Sequence, residues 1–314
     1  MSAIAHSATE PRLNSVTCAS PAGLHRMAYW EWGDPDNDRV LLCVHGLTRT
    51  GRDFDVLAQT LQNDYRVVCP DVAGRGRSDW LIDPAGYVVP QYVADMVALV
   101  ARLAPGRLDW VGTSMGGLIG LGLAGAATMS PALRPGRGRW GLGAAPDIPF
   151  GRMVFNDIGP ALNLDGLSRI GSYVGQDIRF ASFQQAVDYV QAVSQGFGPH
   201  DAAGWAALTE HVFHEQDGQW VKHYDLRMAQ PFALQTPQAT AAAETLLWQA
   251  WDHLPVPALI MRGEQSDILS TQTAQQMVSR NARARCVEFA GVGHAPTLRS
   301  GEQIDAVRQF LLAP

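Results

Sequence analysis

Gly112-Thr-Ser114-Met-Gly116 sets a serine between two glycines, directly after the apolar run Leu108-Asp-Trp-Val-Gly112. A serine hydroxyl becomes a nucleophile only when a base takes its proton, and that base needs an acid to fix its tautomer. Glycines flank such a serine where a strand turns sharply into a helix, because side chains there would collide with neighbouring backbone. The turn would lift the Ser114 hydroxyl above a sheet edge, over a helix N-terminus. His294, in Gly291-Val-Gly-His294-Ala-Pro, is the expected base. Asp267, in Gly263-Glu-Gln-Ser-Asp267-Ile, is the expected orienting acid, with Glu264 and Asp157 as rivals. Asp267 and His294 both follow strand-like runs, at the edge where open α/β sheets gather ligands.

His45-Gly46-Leu47 follows another apolar run, Val40-Leu-Leu-Cys-Val44. That loop is expected to bring the amide of Leu47 beside that of Met115, a pair able to hold an oxyanion. Donors of this kind contribute about 3–4 kcal/mol each in the transition state. His45 itself reads as a structural hydrogen-bonding residue rather than a second base. Three other groups have residue types that could do chemistry. His211-x-x-His214-Glu215, with His223 downstream, could place two histidines on one helix face, yet it lacks the HExxH pattern of a metal-bearing helix. Gly74-Arg-Gly76 has neither G-x-G-x-x-G nor a P-loop lysine, and reads as a buttress for the serine turn. Arg49 and Arg52, beside the oxyanion loop, could meet an anionic substrate. Acyl transfer through these residues requires no metal or organic cofactor.

The elements that would carry these residues alternate. Phe54, Leu57, Ala58 and Leu61 recur at helical spacing, so residues 51–61 form an amphipathic helix. Arg66-Val-Val-Cys-Pro70 is a second strand, Val89 to Val100 a helix, and residues 108–112 a third strand. Strands alternating with helices imply a parallel sheet covered on both faces. Segments around Val16 and Met27–Trp32 suggest an antiparallel start. The rhythm breaks at residues 130–151, a Gly/Pro/Arg-rich stretch read as a surface loop, and a strand resumes at residues 153–158. Residues 159–251 show helical patterns and many aromatics, suited to a helical cap over an apolar pocket. Strands at 256–261 and 285–289, with helices near 273–280 and 303–312, close the chain.

Of 314 residues, 46% are hydrophobic and 17% charged, within the globular range and outside that of disordered chains. A formal net charge of -6 argues against nucleic acid or an anionic membrane as partner. Lys222 is the only lysine. Cys18, Cys43, Cys69 and Cys286 form no C-x-x-C pair, and residues 1–9 lack the regions of a signal peptide. The apolar stretch Met115–Met129 is too short to span a bilayer. These features lead to the expectation of a cytoplasmic protein.

Taken together, His45-Gly46-Leu47, Asp71-x-x-Gly-x-Gly-x-Ser78, Gly112-x-Ser114-x-Gly116-Gly117, Asp267 and Gly293-His294 resemble the α/β-hydrolase fold, over nearly the whole chain. The resemblance implies a doubly wound, mostly parallel α/β sheet of about eight strands, residues 1–158 and 252–314, with residues 159–251 inserted as a helical cap. It implies a serine hydrolase of small-to-medium carboxylic esters, with catalytic Ser114, Asp267 and His294 and an oxyanion hole at Leu47 and Met115. C–C bond hydrolases and lactonases resemble the chain in the same triad and cap, and a hydrolase-fold ligand receptor is a third reading. Serine at 114 separates the chain from the haloalkane dehalogenase and epoxide hydrolase branches, which need aspartate there. A small-molecule ester is the expected partner, and monomer and homodimer both remain open.

Overall fold

Strands β1 (Arg12–Ser20) and β2 (Gly23–Trp32) pair antiparallel, and β3 (Arg39–Val44) follows. These coordinates come from a computed structural model, which describes residues 10–128, 148–161, 163–234 and 236–314. Next in the chain are α1 (Asp55–Leu61), β4 (Arg66–Pro70), α2 (Val89–Leu103), β5 (Arg107–Thr113), α3 (Met115–Thr128) and β6 (Phe150–Asn156). Then come α4 (Leu164–Val174), β7 (Arg179–Phe180), α5 (Phe183–Val193), α6 (Ala202–Thr209), β8 (Phe213–Gln216), β9 (Gln219–Lys222), α7 (Ala229–Ala233) and α8 (Pro237–Asp252). The chain closes with β10 (Ala258–Gly263), α9 (Thr271–Arg280), β11 (Ala284–Phe289) and α10 (Gly301–Leu311). The main sheet has eight strands in the order β1-β2-β4-β3-β5-β6-β10-β11. From β4 to β11 every neighbouring pair is parallel.

The central strands are buried on both faces, which is why they read as unbroken apolar runs. Along β3 the two-residue period sends Val40, Leu42 and Val44 to one face and Leu41 and Cys43 to the other. The first face is covered by α2, α3 and α8, the second by α1 and α10. Helix α3 approaches the sheet closely because Gly120 leaves room for the Trp110 indole; a Cβ there would overlap its Nε1. The loop expected over residues 130–151 lies largely outside the described residues.

Between β6 and β10 the chain is not wholly helical. Strands β7, β9 and β8 form a three-stranded antiparallel sheet. Asp217 and Gly218, both at positive φ (52° and 75°), make the two-residue turn that joins β8 to β9. Val187, Val190, Trp205, Leu208 and Phe213 build a separate small core there. Helix α8 behaves differently, for it packs on α3. Its Trp251 is fully buried, edge-on to Phe155 of β6 with ring centroids 5.3 Å apart, and donates its indole N–H to Met277 O at 2.9 Å. This helix therefore belongs to the layer over the main sheet, although it falls within the stretch expected to be cap. Among the described residues no helix is long and apolar enough to cross a membrane.

Candidate active site

Ser114 sits between β5 and α3 at φ 52°, a left-handed conformation costly for any residue bearing a Cβ. The glycines around it are required by space. A Cβ on Gly112 would overlap the backbone of Gly116, one on Gly116 the carbonyl of Val44, and one on Gly117 the Ile158 side chain. The Ser114 carbonyl accepts bonds from Gly117 N (2.9 Å) and Leu118 N (3.3 Å), so it points along α3. Across a trans peptide the Met115 N–H then points the opposite way, out of the helix N-terminus.

The loop after β3 orients its own amide similarly. The Gly46 carbonyl accepts bonds from His45 Nδ1 at 2.7 Å and Arg49 N at 3.2 Å, which turns the Leu47 N–H the other way. His45 Nε2 accepts a bond from Val72 N at 2.9 Å, so the ring is the neutral Nδ1–H tautomer. Burial pushes its pKa down to about 4, in accord with a fully enclosed, uncharged imidazole. Arg75, also fully buried, donates to Leu47 O (2.9 Å), Ala73 O (2.7 Å) and Tyr92 Oη (2.8 Å). The glycine-rich loop is thus a brace for the turn at Leu47. Arg52 is engaged by Asp55 at 2.7 Å, whereas Arg49 reaches the cavity and pairs with Asp53 at 2.6 Å.

His294 Nε2 lies 2.9 Å from Ser114 Oγ, so residues far apart in the chain meet within proton-transfer reach. The acid beside the imidazole is Asp157, not Asp267. His294 Nδ1 is 2.8 Å from Asp157 Oδ2. Asp157 is fully buried and sits at φ 56° immediately after β6, the strand between β5 and β10. Its carboxylate also accepts bonds from Gly263 N (2.9 Å) and Ser266 Oγ (2.6 Å). Asp267 lies farther out, in the loop beyond Gly263, its side chain 42% exposed and held by Arg169 through bonds of 2.6 and 3.0 Å. Burial alone would raise its carboxyl, but the Arg169 guanidinium holds it below the usual carboxylate range. Glu264, the other rival acid, accepts Gly291 N at 2.9 Å and so fastens the histidine loop instead.

Residues passed over in the sequence complete this edge. Ser266 is one. Asn156 is another: its amide donates to Thr113 Oγ1 (3.0 Å) and Pro296 O (2.8 Å), tying the ends of β5 and β6 to the histidine loop. A Cβ on Gly263 would overlap the carbonyls of Val292 and Gly293, so that loop sits directly on the end of β10.

Above Ser114 and His294 opens a cavity of about 610 Å³, within the usual small-molecule range of ~300–1,000 Å³. Its walls include Leu47, Ile170, Val190 and Phe197, with Tyr173, Tyr189, Tyr224, Arg169 and Lys222 supplying polar groups. His214 lies on β8 rather than on a helix, its ring 4.6 Å from that of His223 and tilted by 51°. Among the described residues the one cluster offering metal-ligand atoms, within 4.8 Å of one another, is Cys18, His25 and Asp95. That cluster spans β1, β2 and α2, several strands from Ser114, and His25 Nε2 already meets Asp95 Oδ2 at 3.1 Å.

A sheet of this order, with a strained serine after its fifth strand and a histidine within reach of it, defines an α/β hydrolase. The model of the alpha/beta hydrolase family matches residues 41–307, and the chain belongs to that family. It is 49% identical over 304 residues to a 3-hydroxybutyrate-oligomer hydrolase of Cupriavidus necator, covering 96% of this chain and 97% of that one. Among solved structures, an alpha/beta hydrolase from Novosphingobium aromaticivorans is 34% identical with a TM-score of 0.79, covering 96% of this chain and 98% of its own. A putative hydrolase from Rickettsia typhi superposes with a TM-score of 0.81 at 27% identity, covering 96% and 98%. The chain is an enzyme of the ester-hydrolase class.

Proposed function

We propose that the chain is a serine esterase whose substrates are short oligomers of a small hydroxy acid such as 3-hydroxybutyrate. The observation that carries the mechanism is the continuous contact from Asp157 through His294 to Ser114. His294 takes the Ser114 proton as Oγ attacks the ester carbonyl, and the amides of Leu47 and Met115 hold the oxyanion. Protonated His294 then passes its proton to the leaving alcohol, and water releases the acyl group by the same route. Asp157 fixes the imidazole tautomer and offsets the charge of the imidazolium. The substrate class rests on the near full-length likeness to the oligomer hydrolase and on a cavity that mixes apolar walls with polar and charged groups. The segment from α4 to β9 is the cap in this reading, and α8 belongs with the core. A cytoplasmic location accords with the free cysteines, three of them buried.

The test is turnover of 3-hydroxybutyrate dimer and trimer beside p-nitrophenyl esters from acetate to palmitate, a lactone and a vinylogous diketone. Oligomer and short-chain ester cleavage is expected, with fluorophosphonate labelling of Ser114. A preference for the diketone with little ester turnover would overturn the ester reading.

A further inference from the structure

Three cationic side chains line the cavity: Arg49, Arg169 and Lys222. Two are already matched, Arg49 by Asp53 at 2.6 Å and Arg169 by Asp267 at 2.6 Å. Lys222 differs. Among the described residues it forms no ion pair, and it is 8% exposed. Its Nζ donates to Tyr173 O (2.8 Å) and Gln176 O (3.0 Å), carbonyls at the end of α4. An ammonium has three donors, so one remains. The Tyr189 and Tyr224 rings stand 5.8 and 5.5 Å from Nζ. Burial of the ammonium lowers its pKa to about 8, with the more distant charge of Asp177 opposing that shift only in part. A cavity wall that keeps a buried ammonium with a donor to spare and no ion-pair partner is suited to an anion.

We infer that the remaining donor of Lys222 binds the free carboxylate end of the substrate, so that the oligomer is cut at a fixed distance from that end. The inference rests on the oligomer-esterase reading above and adds a direction to it. The terminal carboxylate belongs to the alcohol half of the scissile ester. Cleavage therefore releases a hydroxy acid still held at Lys222, while the acyl half stays on Ser114 until water arrives. An oligomer whose carboxyl end is esterified loses the anchor but keeps the scissile bond.

The test separates anchor from chemistry by measuring binding without turnover. Calorimetric titration of Ser114→Ala with 3-hydroxybutyrate trimer, as free acid and as methyl ester, is expected to give at least ten-fold tighter binding of the acid. In Ser114→Ala/Lys222→Met that ratio is expected to fall to about one, and in Ser114→Ala/Lys222→Arg to lie between. Equal affinities in the Ser114→Ala protein, or an unchanged ratio after Lys222→Met, would overturn the inference. If the methionine variant fails to fold, Ser114→Ala/Lys222→Gln takes its place, with the same ratio of about one expected and an unchanged ratio overturning the inference. Failure of the esterase reading shows elsewhere, as absent turnover of both trimer forms by the wild-type protein, and leaves the binding ratio readable.

Discussion

The carboxyl edge of the main sheet and the segment that covers it solve opposite problems. At the edge, Asp157 satisfies three donors, His45 uses both ring nitrogens, and the turn glycines leave no room for adjustment. In the cover, the Lys222 ammonium on the cavity wall keeps one donor to spare. Completed networks hold geometry, as chemistry requires. Unfinished ones wait for a ligand.

The sharpest way to break this contrast is at the edge. Ser114→Ala is expected to lower kcat by about 10⁵–10⁶-fold while the thermal melt moves by only a few degrees; retained turnover of p-nitrophenyl butyrate would defeat the assignment. Asp157→Asn, which leaves shape but not charge, is expected to cost about 10⁴-fold in kcat. Asp267→Asn, exposed and bound to Arg169, should cost less than about ten-fold, and mostly in KM. A reversal of those two magnitudes would restore Asp267 as the orienting acid. A smaller effect concerns stability. His45 is held neutral in the fold with its pKa near 4, against an ordinary value of 6.5. The unfolded chain therefore binds a proton first, and stability is lost as pH falls from about 6.5 towards 4, by a few kcal/mol. Denaturant midpoints taken between pH 7 and 4.5 should fall less steeply in His45→Gln than in the wild-type chain.

The same contrast explains what could be read from the residues alone. Ser114 and His294 were legible because each lies in a glycine-flanked turn directly after an apolar strand, where short-range constraints are strong. The orienting acid was not, since two aspartates follow adjacent strands and only the strand order and the reach of each loop distinguish them. Asp157 stands right at the end of β6 beside Gly263 and His294, whereas Asp267 has already left the sheet. The cover's sequence reads as helical because Phe183, Val187 and Val190 dominate its pattern. Yet Asp217-Gly218 between Gln216 and Gln219 is a strong hairpin signal on its own, and the flanking strands are too short to show their alternation. The boundary at α8 was hidden for another reason: a helix that covers a sheet and a helix that covers a pocket carry the same apolar stripe.

Arg75 carries a consequence beyond its loop. One guanidinium joins the carbonyl of Leu47 to the phenol of Tyr92, and Tyr92 rides on a helix whose opposite side faces solvent. The exterior of that helix is thus linked through two hydrogen bonds to the backbone of the oxyanion loop, and substitutions that shift the helix are expected to lower turnover without touching anything the substrate meets.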